Sequence, residues 1–378
     1  MARLAAPGRP LRIGLVAPPA LAVPPIGYGG VEAVIHALAQ ALEAEGVAVE
    51  VASAGRVEGS FRAPVGLELS ADEAHAADLI HVARSYAALA SMDVIHDHTK
   101  AAGAALASFS RVPVLTTVHN DVNPVRLALY RASRGHPFVF LSRAQHARYP
   151  GVAASGIVPN GIDLRQSPFR SRKEGYLLFL GRFSRVKGPH EAIAIARAAG
   201  MPLVLAGTVD PADRAFFAEE IAPHLDGSSI RLAGEVGGNA KWDLISKARA
   251  LIAPILWEEP FGLVFIEAMA CGTPVLAYRG GAAPEIVVSG KTGFLARDRA
   301  GLVAACSRLP EISATACRRH VSDHFSARTM ARAYRVLYER LRLGEVTPAS
   351  GRSQVSPPMA AEAAAMALRS GRLEGGDS

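Results

Sequence analysis

Cysteine is scarce in this chain of 378 residues, which contains only Cys271, Cys306 and Cys317. Three scattered cysteines are too few for a disulfide framework or a zinc site, so we expect reduced thiols in a cytoplasmic protein. Long hydrophobic runs are also missing, because no stretch reaches the roughly 18 uninterrupted apolar residues of a membrane span. The N-terminal segment contains arginines but no extended apolar region, and this pattern indicates no signal peptide.

Aromatic residues are few as well, at 6% of the chain, and the net charge of +7 is not gathered into blocks. Nucleic-acid-binding proteins typically have clustered basic residues with interleaved aromatic ones. We therefore predict no nucleic-acid partner. The modest basic excess, which lies after Arg165, suits a small phosphorylated ligand better.

Short apolar segments alternate with segments of helical periodicity along most of the chain. "LRIGLVA" and "VAVEVAS" predict strands, and "GGVEAVIHALAQALEAEG" between them predicts a helix. A second series of the same kind begins at "GYLLFLG". Such alternation is typical of parallel sheets covered by helices on both faces, so we predict an α/β fold with two doubly wound domains.

The boundary between the two series falls in the polar stretch "VPNGIDLRQSPFRSRKEG", which is rich in turn signals. The first domain is predicted to span residues 1–165 and the second residues 166–325. Residues 326–343 have apolar residues on one face and arginines on the other, which predicts a final helix. The composition of residues 344–378 predicts a disordered tail.

Ligands of open parallel sheets bind beyond the carboxyl ends of the strands. After the first strand, Gly27, Gly29 and Gly30 precede a helix, whose N-terminus could hold a phosphate, although a plain chain reversal explains these glycines equally well. After the strand "YLLFLG", Arg182 and Lys187 occupy a short loop, where two cations could clamp a diphosphate. Their position at a strand end favours this function over two solvated loop charges.

Two carboxylates stand eight positions apart in "WEEPFGLVFIEAMACGTP". Pro260 disfavours helical geometry at Glu259, so Glu259 is predicted in the loop and Glu267 in the second turn of the following helix. Gly262 would let a ligand approach the backbone closely. A carboxylate can accept hydrogen bonds from two vicinal hydroxyls, so the pair could hold a ribose and a sugar ring.

The combination of "GRFSRVKG" with "EPFGLVFIEAMACGTPV" about 75 residues later resembles retaining glycosyltransferase family four. Five further segments agree with it, "GYGGVEAV", "DVIHDH", "TTVHN", "VPNGID" and "GGAAPEIVVSGKTGFLA", and the resemblance covers about residues 11–343. It implies the GT-B fold, with two Rossmann-like domains facing across a cleft and a C-terminal helix that crosses back to the first domain. It also implies an acceptor held by the first domain and a nucleotide-sugar donor held by the second.

The resemblance assigns a role to each matching residue. Arg182 and Lys187 would neutralise the donor diphosphate, and Gly29 and Gly30 would contact the distal phosphate. Glu267 would hold the ribose, and His119 would lie near the donor sugar and the reaction centre. The donor sugar would be held by Glu259 and by the backbone amides of Phe261, Gly262, Leu263 and Val264. The base would contact the backbone of Val236.

The predicted reaction moves a sugar from a nucleoside-diphosphate sugar, UDP- or GDP-linked, to an acceptor hydroxyl with retention of configuration. We expect no cofactor and no metal, because there is no Asp-x-Asp pair and basic side chains can stabilise the leaving phosphate. The cluster "HDH" at residues 96–98 is the only one with metal-ligand character, and it is expected to shape the acceptor side rather than to hold a metal, although a metal there is possible. Glu259 could position the sugar or act as a nucleophile.

Three alternatives compete with this prediction: an epimerase of UDP-sugars with the same fold, a non-catalytic sugar-nucleotide binding protein, and a nucleic-acid-binding protein. The intact set of motif residues and the scattered charges argue against them. The acceptor could be a sugar, a lipid-linked molecule or a small metabolite. The segment "VRLALYRASRG" could contact a membrane as a basic amphipathic helix, but an ordinary surface helix fits better, so we expect at most peripheral membrane contact.

Overall fold

The computed structural model describes residues 9–25, 27, 29–54 and 71–345, so most of the predicted tail at 344–378 lies outside the described residues. The chain forms two six-stranded sheets in which all neighbouring strands are parallel. Helices pack against both faces of each sheet. The predicted two-sheet GT-B architecture is therefore confirmed.

The first sheet has the strand order β2-β1-β3-β4-β5-β6. Its strands are β1 (Arg12–Val16), β2 (Ala48–Ala52), β3 (Val94–Asp97), β4 (Val114–Val118), β5 (Phe138–Phe140) and β6 (Ala154–Ile157). The helices between them are α1 (Gly30–Ala44), α2 (Ala71–Ala88), α3 (Ala101–Leu106), α4 (Pro124–Ala132) and α5 (Arg143–Ala147). Ile13 and Leu15 pack towards α1, whereas Val16 and Ile95 pack in a separate cluster with Val82 of α2.

The second sheet has the order β12-β11-β10-β7-β8-β9. Its strands are β7 (Leu177–Leu180), β8 (Leu203–Ala206), β9 (Ile230–Gly234), β10 (Ala250–Ala253), β11 (Val275–Tyr278) and β12 (Gly293–Ala296). Its helices are α6 (Pro189–Ala198), α7 (Arg214–Glu220), α8 (Gly238–Lys247), α9 (Leu263–Ala270), α10 (Ala283–Ile286) and α11 (Arg299–Ser307). Leu178 and Leu177 lie in different core clusters, as expected for a strand buried on both faces.

Two helices follow the second sheet, α12 (Ala314–His324) and α13 (Ala327–Arg342). α12 packs on α9 of the second sheet, but α13 returns to the first sheet and packs on α1. The apolar face of α13 buries Met330, Tyr334 and Leu337, whereas Val336 is exposed. Ser326 caps the helix by accepting a hydrogen bond from the backbone N–H of Thr329. The predicted return of the final helix is confirmed.

The sequence reading missed two strands, β6 and β12. The half-buried β6 has the weak pattern "ASGI", at an edge of the first sheet. Gly293–Ala296 forms β12, although no separate strand was predicted for this segment. The domain limits remain predictions. The chain passes from the last strand of one sheet to the first of the other between Ile157 and Leu177.

Candidate active site between the two sheets

A cavity of about 610 Å³ lies between the loops that follow the carboxyl ends of strands in both sheets. Its wall includes every residue that the sequence nominated for the site: Gly29, Gly30, His119, Arg182, Lys187, Val236, Glu259, Phe261, Gly262, Leu263, Val264 and Glu267. The rule that ligands bind beyond strand ends explains why residues so distant in the chain meet here. Their individual roles remain predictions.

The N-termini of α1 and α9 meet in this cavity. A Cβ atom added to Gly30, the first residue of α1, would lie 3.1 Å from Cδ1 of Leu263, the first residue of α9. Leu263 packs against core clusters of both sheets. Within the described part of the chain, the N–H groups of residues 261–264 donate no hydrogen bond. Two helix starts therefore face one space, which favours an anionic ligand there.

Glycine is required at position 262 by the local backbone and by the ring of Phe265, while the predicted approach of a ligand there remains a prediction. Gly262 has φ of +89°, and a Cβ there would lie 2.6 Å from the ring of Phe265. The backbone turn into α9 therefore excludes other residues, independently of any ligand. At Gly29 the extended φ suits any residue, but a Cβ would lie 2.7 Å from the side chain of Pro25.

Lys187 and Glu259 contact each other directly. Lys187 Nζ lies 2.5 Å from Glu259 Oε2, and Trp257 Nε1 donates to the same oxygen at 2.9 Å. Both side chains of the ion pair are mostly buried, which strengthens the charge-assisted hydrogen bond. The residue predicted for the diphosphate and the residue predicted for the sugar are thus neighbours, although the sequence places them 72 positions apart.

Glu267 has a partner that the sequence reading missed. Lys241 of α8 donates to Glu267 Oε1 at 2.8 Å, and its ammonium lies 4.6 Å from the centre of the Trp242 ring. Both residues line the cavity. Lys241 lies in the first turns of the helix that follows β9, so inspection of every strand-to-helix connection could have found it. Arg182, in turn, donates to Asp210 at 2.9 Å.

A buried carboxyl group was also missed at the start of α1. Glu32, in the first turn of the helix, is only 6% exposed and lines the cavity. Burial raises its pKa, and the opposing influence of Lys100 is smaller. The N-terminus of α1 therefore has the carboxyl group of Glu32 beside it. The glycine pattern before the helix did not predict this group.

His119 follows β4 and is half-buried at the cavity wall. Burial lowers its pKa to about 4, so its imidazole is neutral at neutral pH. Its Nε2 atom lies 2.7 Å from Nδ1 of His98, which follows the neighbouring strand β3. Val236 is also half-buried there and packs against the core of the second sheet.

The cluster "HDH", which was predicted to shape the acceptor side, is buried. His96 is fully buried, with Nδ1 2.7 Å from the hydroxyl of Tyr338 and Nε2 2.7 Å from that of Thr117. Asp97 accepts hydrogen bonds from Tyr86 and from Thr99. Two of the three residues are therefore structural. Across the described ranges, no group of three or more His, Cys, Asp or Glu side chains could hold a metal ion.

The basic segment after Asn123 forms the surface helix α4. Arg126 donates to the backbone oxygen of Asp121, and Arg131 donates to that of Pro150 at 2.7 Å. Two of its arginines are thus engaged by the protein's own backbone, which fits the surface-helix interpretation. In the part of the chain that the structure describes, no helix is both long and apolar enough to span a bilayer.

The two halves of the chain match two family models. The model described as Glycosyltransferase Family 4 matches residues 28–166, and the model described as Glycosyl transferases group 1 matches residues 162–309. The fold and the site define a GT-B glycosyltransferase. The two models together span residues 28–309, and these matches show a glycosyltransferase that is similar to family four.

The chain is also similar to individual proteins of known name. The chain is 29% identical over 297 residues to a glycogen synthase of Mycobacterium tuberculosis, covering 68% of this chain and 70% of the relative. It is 25% identical over 339 residues to a phosphatidyl-myo-inositol mannosyltransferase of Mycolicibacterium smegmatis, covering 78% of this chain and 83% of the relative. Among solved structures, AviGT4, a glycosyltransferase of avilamycin A biosynthesis, aligns with a TM-score of 0.67 and 27% identity, over 89% of this chain and 99% of AviGT4.

Proposed function

We propose that this protein transfers a hexosyl group from a nucleoside-diphosphate sugar to an acceptor hydroxyl, with retention of configuration and without a metal. The observation that carries the proposal is the meeting of the α1 and α9 N-termini in the cavity that Arg182 and Lys187 line. A diphosphate is the ligand that most naturally matches two helix starts and two cations. The activities for which the relatives are named, glycogen synthesis and mannosyl transfer, support a hexosyl group.

In the proposed reaction, the bond between the anomeric carbon and the distal phosphate oxygen breaks, and its electron pair stays on that oxygen. The acceptor oxygen forms a bond to the anomeric carbon from the same face. The acceptor's proton passes to the leaving phosphate oxygen, which balances the charge. Arg182, Lys187 and the helix N-termini would stabilise the negative charge that develops on the leaving group.

Three basic side chains near the predicted diphosphate site are our reason to propose a metal-independent reaction. Fixed cations at Arg182, Lys187 and Lys241 can perform the neutralisation that a divalent ion performs in other transferases. Each of these cations is matched by a carboxylate: Asp210, Glu259 and Glu267 respectively. A diphosphate would compete for the first two cations with carboxylates of the protein itself.

We assign Glu259 to positioning rather than to nucleophilic attack. One of its oxygens already accepts two hydrogen bonds, from Lys187 and from Trp257. Donors of this kind stabilise the negative charge of a carboxylate and make its lone pairs less available for bonding to carbon. Glu259 would then hold a hydroxyl of the donor sugar, while Glu267 would hold the ribose.

The partners we propose are a UDP- or GDP-linked sugar and an acceptor that is a sugar, a lipid-linked molecule or a small molecule. A cytoplasmic location, with at most peripheral membrane contact, agrees with three cysteines that are all buried free thiols. No cofactor is required by the proposed reaction.

The test uses UDP-glucose and GDP-mannose as donors and water as the acceptor. We expect slow release of the nucleoside diphosphate and of free sugar whose first-detected anomer, followed by NMR, matches that of the donor. A chelator should leave the rate unchanged. Release of the opposite anomer would contradict retention, an isomerised sugar nucleotide would indicate an epimerase, and loss of activity with chelator would contradict metal independence.

A further inference from the structure

His98 is buried directly behind His119 and joins it by a short hydrogen bond. The two residues follow the adjacent strands β3 and β4, and the bond joins His98 Nδ1 to His119 Nε2 at 2.7 Å. His98 is only 1% exposed, whereas His119 reaches the cavity. Because Nε2 of His119 is engaged by His98, Nδ1 is the ring nitrogen of His119 left for a ligand.

The burial of His98 determines which nitrogen of each ring has the proton. Burial lowers the pKa of His98 and of His119, so both rings are neutral at neutral pH and each has one N–H. In the described part of the chain, the buried Nε2 of His98 has no hydrogen-bond partner. A buried N–H without an acceptor costs more free energy than a buried nitrogen without a donor, so the proton of His98 belongs on Nδ1.

His81 also has one ring nitrogen with a hydrogen-bond partner and one buried nitrogen without a partner. In His81 the partnered nitrogen is Nε2, whereas in His98 it is Nδ1. Its Nε2 lies 2.9 Å from the backbone oxygen of Ala17, an acceptor that requires the proton on Nε2. Its buried Nδ1 is the nitrogen without a partner among the described residues. The chain therefore already contains a buried histidine whose partnerless nitrogen must be the unprotonated one.

We propose that His98 is a positioning residue that holds His119 as the Nδ1–H tautomer. The Nδ1–H of His98 donates to Nε2 of His119, and this forces the single proton of His119 onto Nδ1. His119 then presents a hydrogen-bond donor, not an acceptor, to the oxygens of the sugar that occupies the cavity. The sugar's identity as the ligand rests on the proposed function, but the tautomer itself does not.

The packing behind His98 keeps its ring in place. The ring of His96 lies with its centre 4.0 Å from that of His98. His96 is itself fixed at both nitrogens, by Tyr338 of α13 and by Thr117 of β4. The hydroxyl of Tyr334 also contacts Thr117, at 2.8 Å. The returning helix therefore supports the residue that sets the tautomer of His119.

The test is ¹⁵N NMR of the full-length protein labelled at histidine, with His119 assigned by loss of its signals in His119→Gln. We expect His119 to have a pyrrole-like Nδ1 and a pyridine-like Nε2. In His98→Leu, which lacks the donor, His119 should shift to the commoner Nε2–H form. In His98→Asn, whose amide can replace Nδ1–H, the Nδ1–H form should be retained. A wild-type His119 protonated at Nε2, or an unchanged tautomer in His98→Leu, would overturn the proposal.

A second readout separates positioning from a general loss of structure. Affinities are measured for UDP and UDP-glucose, or for GDP and GDP-mannose if only that pair binds. The kcat/KM of His98→Leu for donor hydrolysis should be about 10–100-fold lower than that of the wild type. Its affinity for the nucleoside diphosphate should equal that of the wild type. His98→Asn should recover most of the lost activity. Equal loss in both variants would contradict positioning by hydrogen bonding. If no nucleotide binds, the proposed function fails, but the NMR result still decides the tautomer.

Discussion

The backbone of Gly262 controls the start of α9, because it combines a positive φ with a close approach to Phe265. We predict that Gly262→Ala destabilises the protein by about 1–2 kcal/mol for the left-handed backbone and by about 1–3 kcal/mol more for the clash. Gly290→Ala is the matched control, since Gly290 has φ of +81° but nothing within 4 Å of the added methyl. Urea unfolding of both variants measures the difference, and equal losses would show that the ring contact has no cost.

Glu267 offers a second test at the scale of one side chain. Glu267→Gln keeps the size of the residue but removes the charge that pairs with Lys241 and would hold the ribose. We predict a roughly ten- to hundredfold weaker affinity for the nucleoside diphosphate, measured by calorimetry, because charged hydrogen bonds contribute about 1.5–3 kcal/mol.

The control for Glu267→Gln is Glu311→Gln, which removes an exposed pair with Arg308 far along the chain. Exposed pairs contribute little, so this variant should bind nucleotide as the wild type does. Comparable weakening in both variants would mean that Glu267 is not a ligand of the nucleotide.

Strand ends and motif spacing were sufficient to predict which residues line the cavity, including Glu259, Glu267 and Lys187. Their partners were not predictable. Lys241 meets Glu267 only because α8 and α9 pack side by side, and Lys187 meets Glu259 across two strand-to-helix connections. Such contacts depend on tertiary packing, which has no local sequence pattern.

At the scale of elements, the arrangement of α13 depends on buried hydroxyl groups as well as on apolar packing. Tyr338 is fully buried and lies at hydrogen-bond distance from His96. We predict that Tyr338→Phe costs about 1–3 kcal/mol of unfolding free energy, because Nδ1 of His96 is left without a partner. Val336→Ala on the exposed face of the same helix should change stability by no more than about 0.5 kcal/mol. A similarly small change in both variants would rule out a structural role for the hydroxyl.

The elements that sequence reasoning identified are those with strong periodicity or a long apolar run. The 15-residue α1 and the buried β7 have clear patterns. By contrast, β6 is short and half-buried, with a glycine inside it, and β12 begins at Gly293. Their strand geometry comes from pairing with β5 and β11, so it depends on neighbours that are distant in the sequence.

At the scale of the whole molecule, buried neutral histidines make stability depend on pH. Burial lowers the pKa of seven histidines: His81, His96, His98, His119, His136, His190 and His320. Below the ordinary pKa of 6.5, the unfolded chain binds protons at these positions that the native chain does not. Stability should therefore fall as the pH falls below about 6.5, by about 1.4 kcal/mol per pH unit for each histidine that stays neutral.

Two buried acids oppose this trend. Burial raises the pKa of Asp97 to about 6 and also raises the pKa of Glu32, so on acidification these two groups take up protons in the native chain at a higher pH than in the unfolded chain. Seven histidines outweigh these two acids, and urea unfolding between about pH 7 and pH 5 should show a net loss of stability. In His98→Asn, the number of protons taken up on unfolding, given by the slope of the unfolding free energy against pH, should be smaller by about one. Stability that rises on acidification would contradict the neutral state of these histidines.

The central claim is that the cavity between the two sheets holds a nucleoside diphosphate at Lys187. Thermal unfolding with UDP, GDP, ADP or TDP tests it most directly, in the wild type, in Lys187→Ala and in Lys291→Ala, whose lysine is exposed. A ligand at 100 times its dissociation constant adds about 2.7 kcal/mol, which raises the midpoint by several degrees. We predict that one nucleotide stabilises the wild type and Lys291→Ala but not Lys187→Ala. Stabilisation of Lys187→Ala to the same extent, or of no variant by any nucleotide, would contradict the account.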